Sequence, residues 1–196
     1  MPLPPQLQQG TTAWLAWRRG GIGASDAPAI MGVSPWMDLE TLWLDKTGRR
    51  RGGFSNHAMR RGQRLEPEAR ALYIRTTRVR VEPVCLEHGA HPWMRGSLDG
   101  ISADGSVVLE VKCPGATDHA VALRGDVPAK YVPQLQHLLA VSDAEVCHYW
   151  SYRDGEGTLI EVAADPGYIR RLVERERDFW QHVLDDRCPP PRRFEG

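Results

Sequence analysis

The sequence predicts a mixed α/β domain, with elements in the order helices, a three-strand meander, a helix, a hairpin and a helix. Three observations lead there. Stretches of helical period open and close the chain, short runs rich in β-branched and aromatic residues lie between them, and two turn signals, Asp104-Gly105 and RDGEG at 153–157, punctuate those runs. A chain of 196 residues with 41% hydrophobic residues suffices for one core of ordinary size. Residues 1–188 therefore read as one domain, and 189–196 (PPPRRFEG) as an extended, poorly ordered tail.

The first helix covers residues 12–19. A second begins with Ser25 as N-cap and stops at Gly32, and a third runs from Asp38 to the Gly48 stop. A longer helix, about 56–77, places Met59, Gly62, Leu65, Ala69, Leu72 and Tyr73 at i, i+3, i+4 spacing. Strands follow at 79–84, 93–101 and 106–112. Pro128 opens a helix at its N1 position that continues through Gln134 to about Val141. Strands at 145–152 and 158–162 flank RDGEG, and Asp165-Pro166 opens a final helix carrying Ile169, Leu172, Val173, Phe179, Trp180, Val183 and Leu184.

Composition removes several function classes. The longest apolar runs are a handful of residues, too short to span a membrane. The segment MPLPPQLQQG lacks a basic stretch followed by an apolar one, unlike a signal peptide. Cys85, Cys113, Cys147 and Cys188 stand far apart without a CxxC pair, which argues against zinc or iron–sulfur ligation and suits a reducing cytoplasm. With 25 basic and 25 acidic residues the net charge is zero, so a whole-protein attraction to DNA is absent. Locally, Arg49, Arg50, Arg51, Arg60, Arg61, Arg64, Arg70, Arg75, Arg78 and Arg80 face only Glu66 and Glu68. Such a segment either lines a phosphate track or forms a solvated helix face.

The informative stretch is SLDGISADGSVVLEVKCPG, residues 97–115. With Asp104-Gly105 as a two-residue type I′ turn, Ala103 faces Ser106, Asp99 faces Glu110 and Ser97 faces Lys112. Opposed residues have Cβ atoms about 4.5–5.5 Å apart. Val107, Leu109 and Val111 share one face, and Glu110 and Lys112 point to the other. Two ionised carboxylates about 5 Å apart repel by roughly 3 kcal/mol at an effective dielectric near 20. Lys112 offsets part of that, and a divalent cation offsets more; hard oxygen ligands suit Mg²⁺. The plainer alternative is a solvent-exposed hairpin with a charged outer face. Glu66, on the apolar stripe of the long helix, should be at least half-buried and therefore paired or near a metal. Gln134, beside the stripe of Tyr131, Leu135 and Leu138, can reach the same centre or serve as an ordinary hydrogen bonder.

An acid on a helix, then D-x(10)-E-x-K across a hairpin, then a helix with a glutamine resembles the PD-(D/E)xK nuclease superfamily. More narrowly, the chain resembles the phage lambda exonuclease, or YqaJ-type viral recombinase, family. The stretches AWLAWRRGGIGASDAPAI, RGQRLEPEARALY, MRGSLDGISADGSVVLEVKCPG and YVPQLQHLLAV carry the likeness from Ala13 to about Tyr152. It implies a restriction-endonuclease-like core, a central mixed sheet flanked by helices. It implies that Asp99, Glu110 and the Val111 carbonyl bind Mg²⁺, with Mn²⁺ as a substitute, and that Lys112 orients or activates the attacking water. Glu66 and Gln134 would help to hold metal and water. Arg18, Ser25 and Ser97 would form a pocket for the 5′-phosphate of a DNA end, and Met59 would wedge the duplex. The chain departs from the family in a shorter segment between Trp36 and Met59, which reduces the loop gripping incoming duplex.

The reaction implied is Mg²⁺-dependent 5′-to-3′ hydrolysis of one strand of linear duplex DNA for phage-type recombination. A homotrimeric ring and a single-strand annealing partner come with the resemblance. The rivals are an endonuclease of the same fold, of restriction or repair type, and a catalytically silent DNA-end-binding module.

Overall fold

Strands buried on both faces need helices on both faces, and that requirement sets the architecture. The computed structural model describes residues 7–50 and 57–190, the side chains of 57–59 excepted. In chain order it runs α1 (Thr12–Arg19), β1 (Ile22–Gly23), α2 (Ala27–Ile30), α3 (Leu39–Lys46), α4 (His57–Thr77), β2 (Val81–Glu87), β3 (Met94–Ser102), β4 (Val107–Lys112), α5 (Ala116–Leu123), α6 (Val132–Ser142), β5 (Val146–Arg153), β6 (Glu156–Ala163) and α7 (Pro166–Leu184). The sheet order is β1-β3-β4-β5-β6, with β2 on the other flank of β3. The β1–β3 and β4–β5 pairs are parallel and the rest antiparallel, so the sheet is mixed, as expected.

The central strands β4 and β5 are buried on both sides. One face places Val108, Leu98 and Tyr149 against Leu135, Leu138 and Leu139 of α6. The other packs Leu109, Val111, Trp150 and Tyr152 against Ala69 and Tyr73 of α4. A third cluster joins Ile22, Ile30, Leu42 and Trp43 to Phe179 of α7. The β3–β4 hairpin therefore has no charged outer face in solvent: Glu110 points into an enclosed layer.

Helix starts follow capping chemistry. The side chains of Thr11, Asp38 and Asp165 accept from the amides of Trp14, Thr41 and Tyr168. Two expectations about helix starts need correction, and one helix is added. Ser25 caps nothing; it is the middle residue of a 3₁₀ turn, Ala24–Asp26, and the Asp26 carboxylate takes the Gly23 amide at 2.8 Å. Pro128 precedes a second 3₁₀ turn, Ala129–Tyr131, and the α-helix proper starts at Val132. Helix α5 was not anticipated, because it docks through His119 Nδ1 and Ser151 Oγ at 2.8 Å, both buried, and shows no apolar stripe. Met59, expected as the wedge, lies outside the described side chains, and of the expected tail only Pro189 and Pro190 are described. Among the described residues no helix is long and apolar enough to cross a membrane.

Candidate active site

Pro83 cannot donate to a ladder, so within a strand it belongs at an edge or a bulge. It marks both here. In β2–β3, Glu82 pairs with Ile101 but Val84 with Leu98, so β3 carries one surplus residue at Asp99–Gly100, opposite Pro83. Gly100 permits the close approach: a Cβ there would lie 2.7 Å from Val81 Cγ2. Bulges re-aim side chains, and this one carries the first acid of the site.

On its other flank β3 is shared. Met94 and Arg95 pair with β1, and Gly100 and Ile101 pair with Leu109 and Val108 of β4. The register is the one expected from the turn, but the ladder ends one pair short of Asp99 and Glu110. The expected pairing of Ser97 with Lys112 is likewise absent from that ladder, and Ser97 pairs only on the opposite flank, with Cys85 in β2. The open position lets the Asp99 carboxylate accept from the Val111 amide at 2.8 Å. In an antiparallel strand a residue's N–H and C=O point to the same side, so the Val111 carbonyl faces that gap as well.

Around this gap the side chains converge. Glu110, 3% exposed, accepts from Lys112 Nζ and Gln134 Nε2, each at 2.6 Å, through one oxygen. Arg70 Nη1 donates to Glu66 Oε1 at 3.1 Å and to the Asp99 carbonyl at 2.8 Å. The expected Glu66, Asp99, Glu110, Lys112 and Gln134 thus meet, and Glu66 is half-buried as its helix position suggested. Burial, followed by the charges of Glu110 and Glu66, holds the Asp99 carboxyl well above the usual carboxylate range. Burial also raises Glu66, against the pull of Arg70. Burial draws the Lys112 ammonium down, but Glu110 and Asp99 outweigh it and leave its pKa raised.

Three acids against Lys112 and Arg70 leave an excess of negative charge in a partly desolvated site. That excess, and an all-oxygen donor set of Asp99, Glu110 and the Val111 carbonyl, fit a hard divalent cation. Among the described residues no three His, Cys, Asp or Glu are grouped to hold a metal. Mg²⁺ does not need three, since it uses one or two carboxylates and keeps water and phosphate oxygens.

A second polar group lies beside the first along β3. Arg18 Nη2 donates to Ser25 Oγ at 2.6 Å, and its guanidinium sits 4.7 Å from the Trp14 ring centre. Trp14 Nε1 donates to Ser97 Oγ at 2.8 Å. The three residues expected at a phosphate are therefore linked through Trp14, and Ser97 stands two residues before Asp99. Lys46 ties the end of α1 to the next turn by donating to the Arg18 carbonyl at 3.3 Å and the Gly21 carbonyl at 2.7 Å, and it pairs with Asp26 at 2.5 Å. Arg70 and Trp14 were not anticipated as parts of either group. The only signal for Arg70 was its i,i+4 spacing from Glu66.

Residues 13–145 match the YqaJ-like viral recombinase domain family. YqaJ of Bacillus subtilis (strain 168) is 31% identical over 183 residues, which span 90% of this chain and 57% of that longer protein. The fold superposes on an alkaline exonuclease, LHK-Exo, from Laribacter hongkongensis with TM-score 0.79 at 25% identity, over 90% of this chain and 94% of that one. The same exonuclease in complex with dAMP gives TM-score 0.79 at 26% identity, with the same coverage. A phage-related exonuclease from Haemophilus somnus 129PT shares the fold with TM-score 0.65 at 13% identity, over 85% of this chain and 96% of that one.

Proposed function

The chain belongs to the YqaJ-like viral recombinase domain family, and on that premise we propose that it is a Mg²⁺-dependent 5′-to-3′ exonuclease acting on ends of duplex DNA. One observation carries the reading: Asp99, Glu110 and Lys112 meet at an interrupted ladder, with a surplus of negative charge around a gap. A divalent cation, Mg²⁺ or in its place Mn²⁺, would be held by Asp99, Glu110 and the Val111 carbonyl. Bound there, it would lower the pKa of water and stabilise charge on the phosphate and the departing 3′-oxygen.

The chain's own residues supply the rest. Lys112, kept cationic by its two acidic neighbours, places its ammonium where negative charge grows on the phosphodiester. Gln134 fixes Glu110 through a neutral amide, so that carboxylate is oriented without spending another cation. Arg70 locks the Asp99 backbone at the bulge and orients Glu66, whose oxygens can hold a water in line. Arg18, Ser25 and Ser97 offer a charge-assisted site for a terminal 5′-phosphate.

A net-neutral chain has little long-range hold on DNA, so persistence on a strand is better supplied by encirclement, in a homotrimeric ring with one heterologous interface. The single strand left behind would pass to an annealing protein. Light scattering should then give about three times the 22.0 kDa chain mass.

End-labelled linear duplex, with and without Mg²⁺ and with and without a 5′-phosphate, tests the proposal beside closed-circular DNA. Cleavage should need the cation, favour the phosphorylated end and spare the circle; cutting of the circle would point to an endonuclease. Arg18→Ala should slow phosphorylated ends by about 10-fold or more, the worth of a charge-assisted hydrogen bond, and leave hydroxyl ends unchanged. Equal losses on both would remove Arg18 from the phosphate site.

A further inference from the structure

Lys112 has a neighbour that the chemistry above leaves unused. Its Nζ lies 5.4 Å from the centre of the Tyr131 ring. Tyr131 is buried, and on it rests Trp36, with ring centres 6.1 Å apart and planes 29° apart. Trp36 is 48% exposed. Lys130 Nζ sits over both rings, 5.0 Å from Trp36 and 5.4 Å from Tyr131. Asp118 holds that lysine at 2.7 Å and accepts from the Tyr131 hydroxyl at 3.3 Å.

The loop that presents Trp36 is pinned. Ser34 Oγ accepts from the amides of Trp36 and Met37, both at 3.2 Å, and the amides of Val33 and Ser34 bond to the Pro28 carbonyl at 2.9 and 3.1 Å. Met37 packs on the core around Ile30 and Trp43. A large ring held half in water adds little to that core. A fixed aromatic face under a lysine, two ring contacts from the ammonium of the reaction centre, suits a partner that is flat, apolar on its faces and anionic along its edge. A nucleotide has that form, and every base offers a π-face for stacking.

We propose that Trp36, backed by Tyr131 and flanked by Lys130, is a stacking platform for a nucleobase of the DNA strand whose phosphate lies at Lys112. The proposal rests on the nuclease reading above, and deepens it by adding a base contact to a site otherwise described by phosphate contacts.

The probe is a single-stranded oligonucleotide with 2-aminopurine near its 5′ end, whose emission falls when the base stacks on an aromatic ring. With chelator present, so that no strand is cut, the wild-type protein should quench the emission. Trp36→Ala should lose most of the quench and bind about 5- to 100-fold more weakly, the usual worth of one stacked base, and Trp36→Phe should restore both. Circular dichroism of Trp36→Ala should match the wild type, since the ring is exposed. Cleavage by the same preparations with Mg²⁺ separates the two readings. A wild type that neither binds nor cuts DNA sinks the nuclease reading. A wild type that cuts, but whose quench is absent or survives Trp36→Ala, overturns the platform alone.

Discussion

In the β5–β6 hairpin Asp154 and Gly155 take φ of +51° and +88°, and the strands pair without interruption from Arg153–Glu156 back to Val146–Ala163. That is a two-residue type I′ turn feeding a regular ladder. In the β3–β4 hairpin the same dipeptide behaves otherwise. Gly105 takes φ +75°, Asp104 does not share it, and the Asp104 carboxylate accepts from Ser102 Oγ, Ser106 Oγ and the Ser106 amide. Ser102 Oγ in turn accepts from the Val107 amide, and ladder pairing begins only at Ile101–Val108 and ends at Gly100–Leu109. A complete ladder consumes its N–H and C=O groups and leaves no room between strands. The incomplete one frees the Val111 amide for a side chain and opens the gap where three acids gather. One hairpin holds the sheet together; the other spends its pairing on a site.

The sharpest way to break this contrast is to remove the acid at the interruption. Asp99→Ala should lower cleavage by several kcal/mol of transition-state stabilisation, about 1,000-fold or more, because the proposed cation site loses one of its two carboxylates. The fold should survive, and without metal its thermal midpoint should hold or rise, since the half-buried carboxylate lies beside the charges of Glu110 and Glu66. Substantial Mg²⁺-dependent cleavage by Asp99→Ala, measured on end-labelled duplex, would remove the interruption from the mechanism.

The register that brings Asp99 near Glu110 was legible because parity protects it. The expected two-residue loop and the wider loop observed are symmetric about the same centre, so both put Gly100 against Leu109. Glu66 was legible as an acid on an apolar stripe, and Gln134 as an amide beside one. The bulge was not, although Pro83 inside a strand was its trace; a Pro is compatible with an edge as well, and only the β2–β3 pairing decides. Strand β1 contributes two residues, too few for any periodicity. Arg70 was hidden because its partner is the Asp99 carbonyl, and backbone acceptors leave no mark on a sequence.

Lys112 sharpens the contrast at a smaller scale. Its backbone pairs with Ser151 of β5, while its side chain leaves that ladder to donate to Glu110, two residues back on the same strand. Lys112→Ala should lower the single-turnover rate by about 100- to 1,000-fold, the range for one preorganised charge-stabilising donor. DNA affinity should change little, because one lysine is a small part of a multi-phosphate contact. An unchanged rate with weakened binding would make Lys112 a tether rather than part of the chemistry.

The smallest effect belongs to the regular hairpin, and it should be read in stability rather than activity. Gly157 pairs with Tyr152, and a Cβ there would lie 1.9 Å from Trp150 Cζ2 and 2.4 Å from Cε2. Trp150 is 1% exposed and meets the Tyr73 ring edge-on at 5.6 Å, so the indole has nowhere to retreat except against α4. Gly157→Ala should therefore overpack the layer and cost about 1–3 kcal/mol, seen as a lower urea midpoint at unchanged slope. Below the unfolding transition the folded fraction should cut DNA within about twofold of the wild type, because Glu66 sits about two turns from Tyr73 along α4 and its partner Arg70 is anchored separately to Asp99. If cleavage collapsed instead while the midpoint held, the displaced Trp150 would be acting through Tyr73 on the acid of α4, and the two hairpins would not be separable in function.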